Sequence, residues 1–195
     1  MPRTIMILCV SLVAVLGLAA QQGHKAKPTA KGTDALARIR QAMSAAPDDI
    51  GKNAAIVEMD QNGQMKQLRV GTNGWTCMPS RRGTAGAEAP MCLDKTWMDW
   101  ADAWMHKTPP HSSTMGIAYM LRGDMGASNT DPYATAPTAD NQWVVSPPHV
   151  MVLVPDAKML DPLPTDPHRG GAWVMWKGTP YAHIMVPLKS VPQKQ

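Results

Sequence analysis

The chain has 195 residues, 19 Lys plus Arg against 15 Asp plus Glu, and a net charge of +4. One domain is the default at this length. The basic residues are scattered, with Arg81-Arg82 the only adjacent pair, which excludes both a nucleic-acid footprint and a polybasic membrane-surface segment.

Met1-Pro2-Arg3 precedes an uncharged run over 5–20 that ends in Ala19-Ala20 and turns polar at Gln21. The run is shorter than the ~20 residues that span a bilayer. It predicts a cleaved signal peptide over 1–20, and hence a periplasmic or extracellular protein with no membrane span afterwards. Without Cys9 two cysteines remain, Cys77 and Cys92. An even count in an oxidising compartment predicts a disulfide, and there is no Cys-x-x-Cys to suggest redox chemistry. With no Phe, 16 Met and seven Trp, the core is expected to be built from Met, Trp, Val and Ala.

Residues 21–32 are polar and aperiodic, a flexible linker, and 33–190 are expected to form one domain. Leu36, Ile39 and Met43 share one face of a helix running from Thr33 or Asp34 to about Ala45. A strand over 54–59, the turn Asn62-Gly63 and a strand over 65–70 read as a hairpin. A further turn at 71–74 leads into Trp75-Thr76-Cys77, which predicts a three-stranded antiparallel meander. Asp94 caps a helix over 95–106, with Leu93 and Met98 as a hydrophobic staple. Its Trp97, Trp100 and Trp104 form one broad face, and Pro109-Pro110 end it. Four apolar runs follow at Thr114–Leu121, Val150–Val154, Ala172–Trp176 and Ile184–Val186. They are continuous rather than alternating, so central strands covered on both faces are expected. The predicted fold is α+β: a mostly antiparallel sheet, the Trp-rich helix packed on it, and two long irregular loops at 122–142 and 155–171.

Several motifs together carry a family impression. They are Gly71-Thr72-Asn73-Gly74-Trp75-Thr76-Cys77, Met91-Cys92-Leu93-Asp94, the stretch Trp100 to His106, Ser128-Asn129-Thr130-Asp131-Pro132, Pro147-Pro148-His149-Val150-Met151 and Gly178-Thr179-Pro180-Tyr181. With these the chain resembles a set of bacterial secreted hypothetical proteins over about residues 35–188. The resemblance implies an exported single domain and carries over no catalytic residue.

The familiar catalytic signatures are absent from the sequence: no G-x-S-x-G, phosphate-binding loop, H-E-x-x-H or C-x-x-C-H. Four Ser (112, 113, 128 and 146) are candidate nucleophiles, but Pro147-Pro148 separates Ser146 from His149. Asp99, Asp102 and His106 lie on one helical strip opposite the Trp face. Asp102 and His106, one turn apart, suit two ligands of one metal or a carboxylate orienting an imidazole. His149 and His183 each begin an apolar strand. If those two strands run the same way, with 172–176 antiparallel between them, both imidazoles reach one sheet edge. His106, His149, His183 and Asp102 are then a candidate zinc or copper set. Met105, Met151, Met175 and Met185 stand near these histidines, and thioether with imidazole suits Cu(I). In the long loops Asn129 and Asp131 offer oxygens to Ca²⁺ or a sugar-like ligand, with Trp143 as a stacking platform. These features predict an exported protein that binds a metal or small polar ligand. The alternatives are a metal-assisted hydrolase, or an envelope-interaction domain without pocket chemistry, marked by an exposed Trp/Met patch.

Overall fold

The computed structural model describes residues 30–60, 62–81 and 88–191. The expected signal peptide, and the linker up to residue 29, lie outside the described residues. The chain then runs α1 (Ala30–Met43), α2 (Asp48–Gly51), β1 (Ala55–Met59), β2 (Met65–Arg69), β3 (Thr76–Met78), β4 (Met91–Leu93), α3 (Lys95–Met105) and β5 (Gly116–Met120). The short strands β6 (Ala127–Ser128) and β7 (Trp143–Val144) follow, then β8 (His149–Leu153), β9 (Trp173–Met175) and β10 (His183–Pro187). Helix α1 begins at Ala30, so the last three residues of the expected linker are helical.

Eight strands form one sheet in the order β2-β1-β3-β4-β5-β8-β10-β9, and β6 and β7 pair apart from it. The α+β architecture is as the residue pattern predicts. The β1–β2 hairpin turns at Gly63, with φ of +79°, and the Asp60 carboxylate accepts the N–H groups of Asn62 and Gln64 at 2.8 and 2.9 Å.

The expected meander is corrected at its third strand. β3 pairs with β1, not β2, and runs parallel to it. The chain crosses the start of β1, where Thr72 N–H donates to Asn53 O and Ala55 N–H to Trp75 O, both at 2.8 Å. Gly71 makes the crossing possible, because a Cβ there would lie 2.0 Å from Ala55 N.

Helix α3 starts where its sequence says. One oxygen of Asp94 accepts Trp97 N–H at 2.8 Å, and the other accepts Ile117 N–H, so the cap also fixes the helix to β5.

Residues paired across strands share a face. On the first face one row runs Ile56, Cys77, Cys92, Tyr119, Val150, Val186. A second row runs Ile117, Val152, Ile184, Val174. Helix α1 covers the left half of this face, where Ala42, Ala45 and Ala46 pack on Ile56, Cys77 and Cys92. Helix α3 covers the opposite face, where Trp97 and Trp100 pack on Leu93, Ala118, Leu153 and Tyr181. A third cluster, Val144, Trp173, Met175, Met185 and Val191, fills the space toward β9. The core is the expected Met, Trp, Val and Ala mixture.

Of the continuous apolar runs, β9 is buried on both sides, with Trp173, Val174 and Met175 all buried, whereas β5, β8 and β10 are not. Ile117, Val150, Val152, Ile184 and Val186 belong to none of the three core clusters and stay half-buried. At the margins of the same face Met115 and Leu188 are 56% and 55% exposed.

Candidate functional site

Three regions compete for the role of functional site. The first surrounds His183. The ring is buried and meets Trp176, Trp97 and Trp100 edge to face, with centroids 5.0, 5.3 and 5.7 Å away. Its Nδ1 lies 3.0 Å from Tyr181 O, so that nitrogen carries the proton. Burial pushes the pKa down to about 4, against the Tyr181 carbonyl, which raises it, and with a lesser lowering from His149. The imidazole is neutral at pH 7. Trp176 has φ of +57°, a conformation rare for a bulky residue. Its N–H bonds Asn129 O at 2.8 Å and its indole Nε1 bonds Ser128 O at 2.7 Å, which hold it stacked on Trp100.

The second region is His149, fully buried. Its Nδ1 lies 2.7 Å from Pro147 O and donates to it, leaving Nε2 as a bare lone pair without a partner. Burial lowers its pKa, while the Pro147 carbonyl and the Asp124 carboxylate oppose the shift. Met120 and Pro187 stand directly across from it on β5 and β10. Ser146 Oγ is buried and partnerless too, so no hydrogen bond joins this hydroxyl to His149 as nucleophile and base.

The predicted metal set does not assemble. β8 and β10 are adjacent and antiparallel, with β9 outside them. His149 pairs with Pro187, four residues from His183, so the two histidines sit at opposite ends of the strand pair, roughly 13 Å apart along it at ~3.3 Å per residue. They do share the face beneath α3. Asp102 and His106 lie on the other side of that helix, where their side chains are 70% and 68% exposed and meet each other at 3.4 Å. The amphipathic register that buries Trp97 and Trp100 turns the Asp102–His106 strip to solvent. Among the described residues no three His, Cys, Asp or Glu side chains group to hold a metal.

The expected polar-ligand residues are occupied internally. Asn129 is buried. Its amide donates to Gln142 Oε1 and Thr165 O at 3.1 and 2.9 Å and accepts Trp173 Nε1 at 3.0 Å, tying the two long loops to β9. Asp131 accepts Tyr133 N–H at 2.8 Å, an Asx turn. Trp143 lies against Gly126, where a Cβ would meet its Nε1 at 2.1 Å. A cavity of about 260 Å³ opens between Pro167, Gly170, Gly171 and the chain from Pro187 to Val191; none of the predicted site residues line it.

The third region, which the sequence reading missed, is the half-buried face of β5, β8 and β10 on the side away from α3. Its strand residues are Ile117 and Tyr119 on β5, Val150 and Val152 on β8, and Ile184 and Val186 on β10, with Met115, Val154 and Leu188 extending the same alternation. Not one is charged. The exposed large apolar residues elsewhere, such as Met65, Val70, Met105 and Met159, are scattered rather than grouped as a Trp/Met patch. The disulfide Cys77–Cys92 is formed, and no helix among the described residues is long and apolar enough to cross a membrane.

Compared with protein-family models, with curated proteins and with solved structures, the chain matches none. The resemblance to bacterial secreted proteins therefore rests on the sequence motifs alone.

Proposed function

We propose that the protein is an exported interaction domain that docks a partner presenting a flat apolar face, and that its working surface is the half-buried face of β5, β8 and β10. One observation carries this reading: Ile117, Val150, Val152, Ile184 and Val186 share one face of three adjacent strands, lie outside every core cluster and are half-buried, with the more exposed Met115 and Leu188 at the margins of that face. Contiguous apolar patches of this kind on a monomer mark interaction sites. The disulfide agrees with export.

Binding of anilinonaphthalene sulfonate to dilute, oxidised mature chain tests it. Fluorescence should rise on the native chain and fall back in a folded Val152→Lys variant. Native protein that leaves the dye dark, with intact near-ultraviolet circular dichroism, removes the reading.

A second reading follows from the bare Nε2 of His149. Met120, Met151 and Met185 lie on its face of the sheet, and imidazole with thioether suits Cu(I). Competition for Cu(I) against bicinchoninate, on native chain and His149→Leu, separates the cases: equal uptake excludes the site. Nothing among the described residues favours the hydrolase reading over these two.

A further inference from the structure

We infer that the cavity beside the edge strand β9 is a binding site for a small phosphate monoester. Its volume of about 260 Å³ lies between two chain segments, with Gly170 and Gly171 on one side and the chain from Pro187 to Val191 on the other. Nothing about it depends on the apolar face described above.

The backbone supplies the first donors. Gly170 has φ of +78° and ψ of 143°, and Gly171 has φ of +81°, angles open to glycine almost alone. Crowding does not demand the two glycines, since a Cβ at either would meet no atom within 4 Å. The pair therefore sets bare backbone beside open space. Among the described residues, no backbone carbonyl accepts the N–H of Gly171, nor those of Lys189 and Ser190 across the cavity. Lys189 also brings an ammonium, and Ser190 a hydroxyl. Neither Lys189 nor Arg169, the residue before Gly170, forms an ion pair among the described residues. The carboxylate next to this segment, Asp166, is engaged as a cap and accepts His168 N–H at 2.9 Å.

Free N–H groups around one space, with a cation and a hydroxyl beside them, are the donors an oxyanion takes. They come from both sides of the cavity, so the ligand needs oxygens pointing in several directions. A tetrahedral phosphate has them, and a planar carboxylate does not. Pro167, Pro187, Leu188 and Val191 give the remaining walls, and these suit a short apolar body. The volume falls below the ~300 Å³ at which drug-sized sites begin, which limits that body to about a single ring.

Phenyl phosphate is the probe, titrated at constant ionic strength into isotope-labelled, oxidised mature chain and followed by amide chemical shifts. The amides of Gly171, Lys189 and Ser190 should shift and saturate, with a Kd of about millimolar order. Inorganic phosphate should move the same amides at higher concentration, because it leaves the apolar walls wet. Lys189 is exposed, so Lys189→Gln leaves the fold intact; it should weaken phenyl phosphate about tenfold through loss of a charged donor. Ser190→Ala should weaken it less. Shifts that grow linearly without saturating, shifts that phenol alone reproduces, or a Kd unchanged in folded Lys189→Gln would each overturn the inference.

Discussion

His183 stands edge-on to Trp176, their ring centroids 5.0 Å apart and their planes at 83°. An imidazolium there would have to charge inside an aromatic wall. The folded pKa is about 4, against ~6.5 for a free histidine. Above pH 6.5 both folded and unfolded chains hold the ring neutral, and stability is undiminished. Between pH 6.5 and pH 4 the unfolded chain takes up the proton and the folded chain does not, so stability falls as pH falls. The full loss is about 3 kcal/mol. His149, shifted the same way, steepens the fall. Denaturant midpoints at pH 7 and pH 5 should therefore differ clearly in the native chain and less in His183→Phe. Equal slopes in the two proteins would exclude His183 as the titrating group.

Cys77 and Cys92 are direct cross-strand partners on β3 and β4, 15 residues apart. Closing a loop of that length removes unfolded-state freedom equivalent to about 3 kcal/mol. Reduction should lower the urea midpoint by that equivalent while leaving the dichroism of the native state in place. An unchanged midpoint would show that β3–β4 pairing under α1 suffices without the bond.

Asn129→Ala is expected to destabilise by about 3 kcal/mol, because it leaves the Trp173 indole N–H and the Thr165 carbonyl without their buried partner. The effect should appear in thermal unfolding. A ligand-contact role would predict the reverse pattern, with affinity lost and stability kept.

What the sequence disclosed was local. Asp94 caps α3 as its spacing announced, and the Trp face of that helix is the buried face. The same periodicity turns Asp102 and His106 away from the sheet, to solvent, while His149 and His183 are buried beneath the helix. The parallel pairing of β1 with β3 was hidden because it depends on the close passage of Gly71 over Ala55, a contact between segments rather than a pattern within one. Strand order hid the relation of the histidines: a run that is apolar on both sides does not say which strands adjoin it. Nor does it say whether a helix exists to cover each side. Ile117, Val152 and Ile184 look like core residues in one dimension and are only half-buried in three.

The width of the sheet explains why they are half-buried. Eight strands at ~4.8 Å spacing extend about 38 Å, whereas a packed helix roofs a strip only about 10 Å broad. This chain sets one long helix on each side, and α1 lies over β1, β3 and β4 while α3 lies on the reverse. The strip of the α1 face over β5, β8 and β10 is thus left without a long helix above it and only half-buried, while Val174 on β9 beside it is fully buried. Polar residues there would make that strip an ordinary wet surface; its Val and Ile leave it apolar and part-wet, the composition of an inner layer at the edge of the core.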